Sequence, residues 1–90
     1  MNKRAIYYFD EKLVLSRYEH DILVLLINRP GWIFSREKIM DLVWLEPEES
    51  FDRTVDAHIK TIRAKLKSVK PEIDPIETHR GLGYALKEDL

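Results

Sequence analysis

The residues most able to do chemistry lie in one stretch, FDRTVDAHIKTIRAKLKS, residues 51–68. Val55, Ile59, Ile62 and Leu66 recur at steps of four, three and four, so on a helix they form a single apolar line. Opposite them fall Arg53, Ala57, Lys60, Thr61 and Ala64, small residues and cations where a solvated face usually carries long charges of both signs. Between residues 52 and 67 five cations oppose two acids, a local charge of +3 in a chain whose formal net charge is −1. Cations in such a row neutralise phosphates and release counterions. A helix is about 10–12 Å across with its side chains, and the major groove of a B-form duplex is about 12 Å wide. Ala57, Thr61 and Ala64 trim the crest for that groove, and Thr54 and Thr61 offer hydroxyls to base edges. The methyl of Ala57 suits a thymine methyl. Arg53, Lys60 and Lys67 line one shoulder and Lys65 the other, at the height of the phosphate strands. The plain alternative is a solvated helix that is merely basic. For Asp56 the plain role is an intrahelical pair with Lys60 or Arg63. Its functional role would be to orient Arg53 or Lys60, or to accept from a cytosine amino group.

The elements that must position this helix can be read outward from it. IYYF (6–9) and KLVL (12–15) are β-prone runs separated by Asp10–Glu11, which predicts a hairpin. Ser16 with Glu19 three residues on is a capping-box pattern, and a helix over about 17–28 follows, apolar along Tyr18, Ile22, Leu25 and Leu26. WIF (32–34) is a short extended link into Ser35, a second N-cap. The second helix, about 36–44, buries Ile39, Leu42 and Val43 and part of Met40. LEPEES is a loop, broken by Pro47. The third helix, capped by Ser50 or Asp52, runs to about 68, where KPEIDP ends it. IETH (76–79) and YALK (84–87) flank RGLG as a closing hairpin. The order ββ-α-α-α-ββ is α+β, a winged helix-turn-helix: the basic helix follows two shorter ones and a hairpin stands beside it. Arg80, at the tip of that hairpin beside Gly81, is placed to enter a minor groove.

Ninety residues form one domain, 1–90. There is no cysteine, which excludes disulfides and thiolate metal sites and suits a reducing cytoplasm. The longest apolar run, ILVLLI, is too short to span a bilayer, and the first residues lack the apolar core of a signal peptide. His20, His58 and His79 are scattered without ligand spacing, so neither a metal nor another cofactor is expected. No serine–histidine–acid grouping stands out, RGLGY has Leu86 where a phosphate fingerprint needs glycine, and no enzyme is expected. Trp44 serves first as a core plug, with an indole N–H able to reach a phosphate. Trp32 and Phe34 are expected to pack, and Tyr7, Tyr8 and Phe9 to divide between the faces of the first hairpin. The acidic loop of Glu46, Glu48 and Glu49 would stay exposed on bound DNA.

The ordered segments LVLSRYEHDILVLLINRPGWIFSRE, SREKIMDLVW, DRTVDAHIKTIRAKLK and IETHRGLGYAL resemble the DNA-binding effector domain of OmpR/PhoB response regulators, in wording nearest the CreB-like branch. The resemblance implies sequence-specific binding of double-stranded DNA at tandem direct repeats, in transcriptional regulation by a two-component system. By position, base reading falls on Thr54, Asp56, Ala57 and Thr61, with Arg80 as the wing arginine. Phosphate contacts fall on Trp44, Arg53, His58, Lys60, Arg63, Thr78 and Tyr84. It also implies that the loop bearing Glu46, Glu48 and Glu49 touches RNA polymerase. Relatives often carry a base-reading arginine where this chain has Thr61, so the target sequence should differ. The family usually opens with four strands and only two are visible, which leaves a clipped terminus or a reduced sheet. No receiver domain with its phosphorylatable aspartate is present in the sequence, so signal input and phosphorylation-driven dimerisation are not expected to reside in this chain. The fragment alone is expected to be a monomer, with head-to-tail pairing reserved for DNA. The competing class is a winged-helix protein-interaction module that docks on an acidic partner without binding DNA.

Overall fold

The structure, a computed structural model, describes residues 6–44 and 52–88, the side chains of 52–54 excepted. The elements are β1 (Tyr7–Tyr8), β2 (Glu11–Lys12), α1 (Arg17–Asn28), α2 (Arg36–Val43), α3 (Asp52–Val69), β3 (Ile76–His79) and β4 (Gly83–Leu86). Three helices and two antiparallel hairpins give the α+β winged-helix arrangement expected from the pattern.

Helix α1 starts where the capping box places it. The Ser16 hydroxyl accepts from the Glu19 N–H, and the Glu19 carboxylate accepts from the Ser16 N–H at 3.0 Å. Ser35 caps α2, its hydroxyl accepting from the Lys38 N–H. Ser50 and the side chain of Asp52, the two caps expected for α3, and the loop acids Glu46, Glu48 and Glu49 lie outside what the structure describes. The core is formed where the three helices meet: Ile22, Leu23 and Leu26 from α1, Ile39 and Val43 from α2, and Val55, Ile59, Ile62 and Leu66 from α3. Each fully buried Ile or Leu contributes about 1.5–3 kcal/mol relative to exposure. Leu42 departs from expectation and is half exposed, because the buried sector of α2 runs from Ile39 through Val43 towards Met40. Trp32 is also exposed rather than packed: it lies against Phe34 and under the Arg29 guanidinium, 5.0 Å from its ring centre.

The closing hairpin is tied in more firmly than its four-residue strands suggest. Ile76 pairs with Leu86 and His79 with Gly83, and Phe34 exchanges two backbone hydrogen bonds with Tyr84, adding the 32–34 link as a third rung beside β4. Gly83 permits this approach. A Cβ there would fall 2.0 Å from the Phe34 carbonyl oxygen, and its φ of 146° suits only glycine. The first hairpin turns at Phe9–Asp10, one residue earlier than expected, with φ of 50° and 66° at those positions. Positive φ at both central residues is the requirement of a two-residue I′ turn. Its strands are two residues each instead of four, and Tyr7 and Phe9 stand exposed while Tyr8 is half-buried.

Candidate nucleic-acid interface

Helix α3 has 18 residues and is about 27 Å long at 1.5 Å per residue. Its apolar line is fully sequestered, with Val55, Ile59, Ile62 and Leu66 at 0–3% exposure. On the other side Ala57, Lys60, Thr61, Ala64 and Lys67 all face solvent. The narrow crest is therefore outward and uncovered by the rest of the described chain. The Thr61 hydroxyl donates to the Ala57 carbonyl at 3.1 Å. With its proton turned back onto the helix, the oxygen faces outward as an acceptor, suited to an amino group on a base edge. The side chains of Arg53 and Thr54 lie outside the described residues.

The flanks of the helix differ from the expectation of freely standing cations. Lys65 does not stand at phosphate height. Its ammonium donates to the Val14 carbonyl and to the Glu19 carboxylate, each at 2.7 Å, because the 8% exposed Glu19 side chain needs a counter-charge. Burial raises the Glu19 pKa, but the Lys65 hydrogen bond and the Ser16 N–H outweigh it, and the net displacement is below the ordinary carboxylate value. Arg63 is also engaged inward. It donates to the Ile76 carbonyl at 2.9 Å and the Thr78 hydroxyl at 2.6 Å, and its Nε lies 3.6 Å from Asp74. Arg63 and Thr78 thus brace α3 against the first strand of the wing.

Asp56 corrects the expected intrahelical pair. Its Oδ1 accepts from Arg36 Nε of α2 at 2.8 Å and from the Tyr84 hydroxyl of β4. One carboxylate oxygen therefore joins supporting helix, basic helix and wing. The Arg36 bond holds the Asp56 carboxyl below its usual range, against an opposing push from burial. Burial, then the Asp56 hydrogen bond, raises the Tyr84 phenol. Tyr84 is buried, 7% exposed, and its hydroxyl proton is given inward to Asp56. Trp44 is also buried and stacks on Tyr18 at 4.4 Å between ring centres, while the half-buried His58 ring sits 5.7 Å from Trp44 and 5.8 Å from Tyr18. At the wing tip the Leu82 N–H closes a turn onto the His79 carbonyl, with Gly81 at φ 79°, and Arg80 is exposed. The sequence reading missed Arg36. Its only signal was an arginine directly after an N-cap serine, and nothing in the spacing links it to Asp56 twenty residues on.

Among the described residues no group of three histidines, cysteines or carboxylates could hold a metal, and no helix is long and apolar enough to cross a membrane.

Three helices with a basic outward third helix and a bonded wing define a winged helix-turn-helix effector domain. The family described as "Transcriptional regulatory protein, C terminal" matches residues 10–86. The chain belongs to this family, the C-terminal domains of OmpR/PhoB regulators. It is 50% identical over 82 residues to the transcriptional regulatory protein CreB of Escherichia coli, covering 91% of this chain and 36% of CreB. It is 45% identical over 86 residues to a probable transcriptional regulator, ycf27, of Guillardia theta, covering 93% and 34%. The chain thus spans about a third of the length of these curated relatives. Among solved structures it matches the AdeR response-regulator DNA-binding domain in complex with an intercistronic region. That match has TM-score 0.81 at 28% identity, over 94% of this chain and 86% of that one. The C-terminal DNA-binding domain of RstA from Klebsiella pneumoniae matches with TM-score 0.80 at 28% identity, over 96% and 78%.

Proposed function

We propose that this domain binds double-stranded DNA sequence-specifically as the effector part of a cytoplasmic response regulator. In this reading α3 lies in the major groove and the wing in the adjacent minor groove. One observation carries it: the crest of Ala57, Thr61 and Ala64 is exposed between exposed lysines while the opposite side of α3 is fully buried. A slim, cation-edged helix is what a groove about 12 Å wide accepts. Family membership and the AdeR–DNA complex add weight.

Base reading then falls to Thr54, Ala57 and Thr61, with Arg80 at the minor groove and Asp56 offering its second oxygen to a cytosine amino group. Lys60 and Arg53 are the principal phosphate ligands, with His58 and the Trp44 indole beside them. Arg63, Thr78 and Tyr84 reach phosphates only through groups left over from bracing the wing. Glu46, Glu48 and Glu49 would face RNA polymerase, and two copies would pair head-to-tail on tandem repeats, with a receiver domain upstream in the longer protein.

Selection of preferred sites from a random duplex pool, followed by titration of labelled domain, tests the reading. Amide shifts in α3 and residues 79–83 that fade at high salt are expected. Thr61→Ala should alter preference at one base pair by about 1–3 kcal/mol. No enriched sequence, with shifts produced only by an acidic protein partner, would favour the interaction-module alternative.

A further inference from the structure

We propose that Arg36 is a further phosphate-gripping residue, and that Asp56 is the positioning residue that aims it. The inference rests on the DNA-binding reading above and deepens it. Asp56 directly precedes Ala57 on the crest, where a bare carboxylate would repel the duplex. The structure neutralises it with a guanidinium that arrives from α2, twenty residues earlier in the chain.

The bond uses Nε of Arg36, at 2.8 Å, and the Tyr84 hydroxyl also lies within hydrogen-bonding reach of the guanidinium, so two partners meet a group that carries five N–H donors. The side chain is 49% exposed. Guanidinium geometry is planar and rigid, so fixing Nε on a carboxylate turns the opposite edge, with its remaining N–H groups, away from Asp56. Asp56 and Lys60 are four residues apart on α3, so the guanidinium anchored on Asp56 shares the flank of Lys60, where a phosphate strand would pass.

The same Oδ1 also takes the Tyr84 proton, so the angle between α3 and the wing is set at the point where Arg36 is anchored. Loss of Asp56 would therefore free both the arginine and the wing. A purely electrostatic view makes the contrary prediction, because removing a negative charge beside DNA should tighten binding to every sequence. The sign of one measurement separates the two.

The experiment titrates a selected duplex and an unrelated one at several salt concentrations, with melting by circular dichroism as a control for folding. Arg36→Ala is expected to weaken both duplexes about tenfold and to lower the salt slope by about one. Asp56→Ala is expected to weaken both roughly three- to tenfold, Asp56→Asn less, and Asp56→Ala in the Arg36→Ala background only by the smaller share that comes from freeing Tyr84 and the wing. An unchanged salt slope in Arg36→Ala, or tighter binding by Asp56→Ala, overturns the proposal. Arg36 is half exposed, so its variant folds and decides the matter even where Asp56→Ala does not. If Lys60→Ala lowers the slope and Arg36→Ala leaves it intact, this inference alone falls. If the unmodified domain binds no duplex at any salt, the functional reading falls with it.

Discussion

Lys60 and Lys65 sit five residues apart on one helix and do different work. At 3.6 residues per turn they point about 140° apart around the axis. Lys60 faces solvent on the crest side, whereas Lys65 reaches the buried Glu19 carboxylate at 2.7 Å. The contrast extends along both flanks. Lys67 is exposed like Lys60, while Arg63 is turned onto the Ile76 carbonyl and Thr78 like a second Lys65. A local charge of +3 therefore overstates the positive edge available to a polyanion. Of the five cations Arg63 and Lys65 stabilise the domain, while Lys60 and Lys67 remain outward for a ligand.

Cutting the tied side of this comparison should have the largest effect. Lys65→Ala leaves the Glu19 side chain, 8% exposed, without its counter-charge and strips the Val14 carbonyl of a donor. The expected loss of stability is about 2–3 kcal/mol, read from urea melts. Arg63→Ala should follow at about 1–2 kcal/mol, because its partners on the wing are nearer to solvent and water replaces part of what is lost. A loss below 0.5 kcal/mol in both would mean these cations are not structural.

The same pair fixes a dependence on pH. The Glu19 carboxyl is held below its ordinary value in the fold, so the unfolded chain takes up its proton first as the solution is acidified. The stability this pair supplies is complete above the ordinary Glu value, about 4.3, and is lost as pH falls through the lower folded value. Asp56, held down chiefly by Arg36, adds a slope of the same sign. Glu19→Gln should flatten acid unfolding measured between pH 6 and 2, the conditions of roughly that span being set by the reference value. Unaltered acid sensitivity would detach the effect from Glu19.

How much of this was legible beforehand depends on the range of the interaction concerned. The apolar line of α3, the Ser16–Glu19 box, the Ser35 cap and the wing all follow from local spacing, and each has its expected place. Partners that meet through tertiary packing had no such signal. The bonds from Arg36 to Asp56, Lys65 to Glu19 and Arg63 to Thr78 span 20, 46 and 15 residues. Helical spacing offered Asp56 the nearer Lys60 or Arg63, but the former faces out and the latter is drawn to the wing. The short first hairpin misled for a different reason. Alternating aromatic and aliphatic residues predict strands, yet Val14 ends 81% exposed, with β2 already finished at Lys12.

The free side of the helix supplies the smallest change in stability and the sharpest functional one. Lys60→Ala removes no bond found among the described residues, and alanine is the better helix former, so the melting free energy should move by less than about 0.5 kcal/mol. On duplex DNA the same variant should lose one phosphate contact, making the salt slope shallower by about one unit and weakening all sequences alike. Lys65→Ala, measured well below its melting temperature, should leave that slope where it was. The two lysines would then exchange roles between the two assays: one decides stability and the other decides binding. If both variants lowered the salt slope equally, the bond to Glu19 would have to open on DNA, and the outward crest would be wider than the folded domain presents.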